Sequence, residues 1–154
     1  MQLDQILSQS CTLTGAPWSS KKRVLEQAAG LLAEHLTDID TDDIFNGLIG
    51  RERLGSTGLG GGIAIPHCRL SQCEEVTAAL IHLESPVDFD ARDGQPVDII
   101  FVLLAPEEAH ESHLQALAMV AGMLQNPANV QQLRVASDSA GLYKAALSIV
   151  PDKA

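Results

Sequence analysis

Aromatic side chains are scarce in this 154-residue chain, which holds one Trp, one Tyr and three Phe. Platforms that stack bases or sugars need several exposed rings, so that mode of recognition is hard to build here. Cysteine is equally sparse. Cys11, Cys68 and Cys73 are odd in number and lack C-x-x-C spacing, which argues against a disulfide framework or a cysteine-built zinc site and leaves reduced thiols. Basic residues number 10 against 20 acidic ones, giving a formal charge of −10 and a pI near 4.7. A polyphosphate backbone would repel such a chain, so nucleic acid is excluded as a partner. Long apolar runs are missing too. The longest, Ile99–Ala105, falls far short of the roughly twenty residues that cross a bilayer, so no membrane insertion is expected. The N-terminal MQLDQILSQSC has neither the basic segment nor the apolar stretch of a signal peptide, and a cytoplasmic location follows as the expectation.

What is present suffices for one globular domain over residues 1–154, since 45% apolar and 19% charged residues can build an ordinary core. Ser19 or Ser20 can cap a helix with Leu25, Ala28, Leu32 and Leu36 on one face. Thr41, Asp42 and Asp43 mark a second helix start, where carboxylates meet the positive end of the helix dipole. Gly47 and Gly50 weaken that helix by up to about 1 kcal/mol each relative to Ala. The apolar stretch Ile63–Ile65 is stopped by Pro66, and the chain is predicted to leave the sheet at His67. Residues 77–84 and 97–104 read as strands, the second apolar enough to lie buried on both faces, with an Asp93–Gly94 turn between. Three helices follow. The first runs from about Glu111 to Gln125 with Leu114, Leu117, Ala121 and Leu124 at helical spacing, and Asn126–Pro127 and Asp138 start the others. The pattern is an α/β fold in which helices flank one mixed sheet.

The least ordinary feature is a glycine-rich loop, Gly55–Gly62, running directly into a histidine. Glycines let backbone N–H groups approach an anion and permit positive φ, while Pro66 fixes the angle at which His67 leaves the strand. A glycine cluster alone is also compatible with a plain surface loop. It is neither a P-loop nor a dinucleotide loop, since no GKS or GKT follows and no GxGxxG opens a helix. Arg51 precedes the loop, Arg69 follows it, and His110 and His113 flank a predicted helix start, so an acidic chain has gathered cations in one stretch. A phosphoryl group on an imidazole needs such surroundings: Arg offers a bidentate fork, and a helix N-terminus offers free N–H groups. Arg51 could equally be a solvated helix-end cation, His113 a part-buried helix residue and His110 a loop residue. His35 and His82 sit inside predicted elements and read as structural. Zinc ranks low, because His110 and His113 lack a third ligand at recognisable spacing. A serine hydrolase ranks lower, because GSTG is not a GxSxG elbow.

The stretch RERLGSTGLGGGIAIPH, Arg51 to His67, together with the later His113 before Leu114, resembles the enzyme IIA domain of the bacterial phosphoenolpyruvate-dependent phosphotransferase system, mannitol/fructose class. The layout extends over nearly the whole chain, and its unfused length and STG variant are most similar to the nitrogen-regulatory type. The resemblance implies a single α/β domain with a mixed sheet of about five strands. It implies that His67 accepts a phosphoryl group at Nε2 from the phosphohistidine of a small phosphocarrier protein, with no metal or organic cofactor. Arg51 would bind the phosphoryl oxygens, and His113 would hydrogen-bond to the group. The chain departs from the family at Cys68, where glycine is common.

The acidic surface would steer a basic phosphocarrier, and Leu54, Leu59 and Ile65 would serve either as the apolar centre of its docking patch or as core. Because the chain ends soon after its last predicted helix, regulation of target proteins by phosphorylation state is expected. The alternatives are a sugar-specific enzyme IIA feeding a IIB domain and a non-catalytic anion-binding module.

Overall fold

The computed structural model describes residues 2–108 and 110–149. A single 3-10 turn (Leu3–Gln5) leads into β1 (Leu7–Ala16), and α1 (Lys21–Leu36) and α2 (Thr41–Glu52) follow. Next come β2 (Gly58–Gly60), β3 (Ile63–Ala64), β4 (His67–Leu70), β5 (Thr77–Val87) and β6 (Val97–Pro106). The chain closes with α3 (His110–Gln125), α4 (Pro127–Arg134) and α5 (Ser139–Ser148). The helix starts follow their cap chemistry. Ser20 Oγ accepts the Arg23 N–H, Asn126 Oδ1 accepts that of Ala128 ahead of a Pro at the first helical position, and Asp138 Oδ1 accepts that of Gly141.

The apolar run in β6 places it at the centre of a mixed six-stranded sheet ordered β1-β5-β6-β3-β2, with β4 also paired to β6. Its side chains alternate between two cores. Ile100, Val102 and Leu104 pack with α1 and α2, through Val24, Leu25, Ala28, Leu32, Ile44 and Leu48. Ile99, Phe101 and Leu103 pack with α3, α4 and α5, through Ala116, Val120, Met123, Leu133 and Leu142. Helices thus cover both faces, as the continuous hydrophobicity of this strand requires.

Four features differ from the sequence reading. β1 went unread because LSQSCTLTGA is mostly polar: it is an edge strand, parallel to β5 and with register shifts, so little of its pattern advertises burial. The chain does not leave the sheet at His67. Pro66 interrupts β3 but its carbonyl accepts the Leu103 N–H at 3.0 Å, and β4 resumes the parallel pairing, His67 opposite Leu103. This continuation explains six strands rather than about five. In α3, Leu114 is 65% exposed, and the buried stripe is His113, Ala116, Val120, Met123 and Leu124. Gly47, counted against α2, is a close-packing position: a Cβ there would lie 2.9 Å from Cys68 Sγ.

Candidate active site

Because Pro66 breaks the strand one residue earlier, His67 opens β4 half-buried, with its ring turned back on its own chain. Its Nδ1 lies 2.8 Å from the Ile65 carbonyl. A carbonyl only accepts, so Nδ1 carries the proton and Nε2 holds the free lone pair of the neutral ring. Burial lowers the His67 pKa below its usual value, and the Arg51 guanidinium adds to that; the Ile65 hydrogen bond and the Glu52 carboxylate oppose it. The imidazole is therefore neutral, and nucleophilic at Nε2, near pH 7.

His113 reaches the same place from the first turns of α3. Its ring stands edge-on to that of His67, centroids 5.4 Å apart. It is 8% exposed, and its Nδ1 is buried without a hydrogen-bond partner among the described residues. Burial lowers its pKa, helped by the nearby His67, Arg69 and His110. Arg51 arrives from the last turn of α2, where its Nη1 donates to the Gly55 carbonyl at 3.0 Å.

All three sequence-predicted residues line one open cleft of about 690 Å³, together with Arg69, His110, Cys68, Glu107, Leu54, Leu114 and Leu117. Arg69 donates to the His110 ring within it. The sequence shows Arg69 and His110 but not that they pair; Glu107 carries no signal there, and Leu114 reads as part of the helix's apolar stripe rather than as a wall of the cleft, because membership depends on where α3 docks. Leu54, at 84% exposure, and Leu114 form apolar rims, whereas Ile65 is buried in the α3-side core and Leu59 sits exposed on β2, outside the cleft. His35 and His82 lie elsewhere, bonded to Ser10 and to Thr14 and Asp98 respectively. Cys68 faces α2, and burial pushes its thiol up to about 12, so it stays protonated.

A histidine with one committed nitrogen, an arginine at the end of a helix and a second histidine edge-on to the first thus share one cleft on a mixed sheet covered by helices. The model of the family described as "Phosphoenolpyruvate-dependent sugar phosphotransferase system, EIIA 2" matches residues 5–148, and the chain belongs to that family of phosphotransfer components. The "Nitrogen regulatory protein" of Pseudomonas aeruginosa is 50% identical over 149 residues, 97% of each chain. That of Bradyrhizobium diazoefficiens is 38% identical over 143 residues, 93% of each. The crystal structure of nitrogen regulatory protein IIA-Ntr from Neisseria meningitidis superposes with a TM-score of 0.85 at 40% identity, over 93% of this chain and 96% of that one. IIA mannitol from Escherichia coli shares the fold, with a TM-score of 0.75 at 15% identity over 90% of this chain and 96% of that one. Among the described residues, no helix is long and apolar enough to cross a membrane.

Proposed function

We propose that this protein is a regulatory enzyme IIA of the nitrogen-regulatory type, in which His67 accepts a phosphoryl group from a phosphohistidine carrier protein. The single observation that carries the reading is the Nδ1 contact to the Ile65 carbonyl, which leaves Nε2 as the nucleophile. In the reaction, the Nε2 lone pair forms a bond to phosphorus as the donor's N–P bond breaks in line, and the donor nitrogen keeps the electron pair. The loose transition state carries its charge on three equatorial oxygens, so positioning and electrostatics dominate. Arg51 meets that charge, and His113 donates to the same group. Leu54 and Leu114 provide the apolar contact for the carrier, beside the cationic cleft that receives its phosphoryl group.

Phosphorylation replaces a neutral ring by roughly −1.5 to −2 charges, by analogy with other phosphoresidues, so a target reading this surface distinguishes the two forms. The relatives named as nitrogen regulatory proteins support regulation over sugar delivery. A cytoplasmic location, where carrier and targets would meet it, accords with the reading. Incubation with phosphoenolpyruvate, enzyme I and a phosphocarrier, read by intact mass, should add one acid-labile phosphoryl group to the wild type and none to His67→Ala. Labelling of His67→Ala would overturn the assignment. A pull-down with the two forms tests the regulatory half: no partner that distinguishes them, together with loss of uptake of one sugar in a deletion strain, would refute it.

A further inference from the structure

Glu52 follows Arg51 in sequence yet points the other way, into the protein. Its side chain is 2% exposed and is held by Lys21 Nζ at 2.8 Å. Both Thr57 donors also reach it: the Thr57 N–H lies 3.2 Å from Oε1, and the Thr57 hydroxyl bonds the same oxygen. A buried carboxylate is costly unless its lone pairs are engaged, and here one lysine and one threonine engage it. Lys21 is fixed in turn, because its ammonium lies 5.2 Å from the Phe89 ring centroid and 3.4 Å from the Phe89 carbonyl. Ser56 Oγ donates to that same carbonyl at 2.6 Å. The ion pair therefore ties the first turn of α1, the last turn of α2, the glycine-rich loop and the segment around Phe89 into one unit.

The unit leads to the phosphoacceptor through two further hydrogen bonds. The Thr57 carbonyl accepts the Ile65 N–H at 3.0 Å, and the Ile65 carbonyl accepts Nδ1–H of His67 at 2.8 Å. Residue 57 thus holds residue 65, and residue 65 holds the imidazole. The alternative of a glycine loop free to adjust around its ligand is incompatible with a Thr57 that is 5% exposed and bonded at its N–H, hydroxyl and carbonyl. We infer that Glu52 and Thr57 are positioning residues for phosphoryl acceptance, fixing through Ile65 the tautomer and orientation in which His67 presents Nε2. The inference rests on the phosphoacceptor reading above and deepens it. The Glu52 charge also acts on His67 directly, in the sense that opposes the effect of Arg51.

The pair Thr57→Val and Thr57→Ser isolates the role, because valine keeps the shape and N–H but loses the hydroxyl that serine restores. Glu52→Gln removes the charge. Three readouts apply to the full chain: far-ultraviolet circular dichroism for the fold, imidazole nitrogen chemical shifts for the His67 tautomer, and rapid-quench labelling with the phosphocarrier for the rate. Thr57→Val and Glu52→Gln should fold, shift His67 from one tautomer toward a mixture and slow labelling at least fivefold, while Thr57→Ser should match the wild type. A single unmixed tautomer and wild-type rates in folded Thr57→Val would overturn the positioning role, and this arm decides the matter even where Glu52→Gln fails to fold. Failure of the wild type to label would refute the phosphoacceptor reading instead, and the tautomer measurement would still report on the Thr57 link.

Discussion

Gly47→Ala tests whether the spacing between α2 and β4 is set by contact at Cys68. A Cβ at position 47 would stand 2.9 Å from Cys68 Sγ and 3.0 Å from Leu70 Cδ2, roughly half an ångström or more inside ordinary contact. Leu70 Cδ2 is the end of a flexible side chain and can yield. Cys68 Sγ is buried and sits one bond from Cβ on a strand held by its pairing to β6, so α2 itself must move outward. Overpacking of this kind costs about 1–3 kcal/mol, and replacing a helical glycine by alanine returns up to about 1 kcal/mol. The net expectation is a loss of about 0–3 kcal/mol.

Cys68→Ala removes the sulfur at a cost of about 1 kcal/mol, in the ordinary range for a small buried change. In the double variant the clash is gone and the helix gain remains, so its loss should fall short of the summed single losses by about 1–3 kcal/mol. Urea unfolding of the four proteins at one pH, with unchanged m-values, measures this coupling. Arg51 lies one turn beyond Gly47, so Gly47→Ala should also slow phosphoryl acceptance, and the double variant should recover part of the rate. Additivity within about 0.5 kcal/mol would refute the contact as the determinant of helix position.

Arg51→Lys should slow phosphoryl acceptance at least tenfold although charge is kept, because an ammonium cannot reproduce the planar fork; rapid-quench kinetics check this. His113→Ala should be impaired yet still label, since the proposed attacking nitrogen is that of His67. Stability should fall as pH drops from above 6.5 through the lowered folded-state pKa values of His67 and His113, because in that window the unfolded chain binds protons that the buried rings resist. His67→Ala should flatten that acid-side slope in thermal melts, and an unchanged slope would refute the burial argument. On the alkaline side, the Cys68 thiol, raised from 9.0 to about 12, should make stability fall as pH rises across that window, and Cys68→Ala should remove this contribution.

The helix starts at Ser20, Asn126 and Asp138 and the doubly buried β6 are legible in the sequence because each is local or periodic chemistry. A cap needs only its next few N–H groups, and a strand buried on both faces must be apolar throughout. The motif from Arg51 to His67, with His113 beyond it, carries its family resemblance, and that resemblance put the three residues at one site; the fold brings all three to one cleft. Tertiary structure alone decided the rest. β1 is a strand because β5 offers it a partner, not because LSQSCTLTGA alternates. β4 exists because β6 continues to pair past the proline that ends β3. Leu114 faces solvent and His113 the interior because the docking of α3 selects one of two overlapping apolar stripes. Glu52, an ordinary helix-end carboxylate by sequence, is buried because Lys21 and Thr57, distant and near in the chain, converge on it. The protonated nitrogen of His67 follows from the Ile65 carbonyl, whose direction is a product of the folded loop and has no signature in residue types.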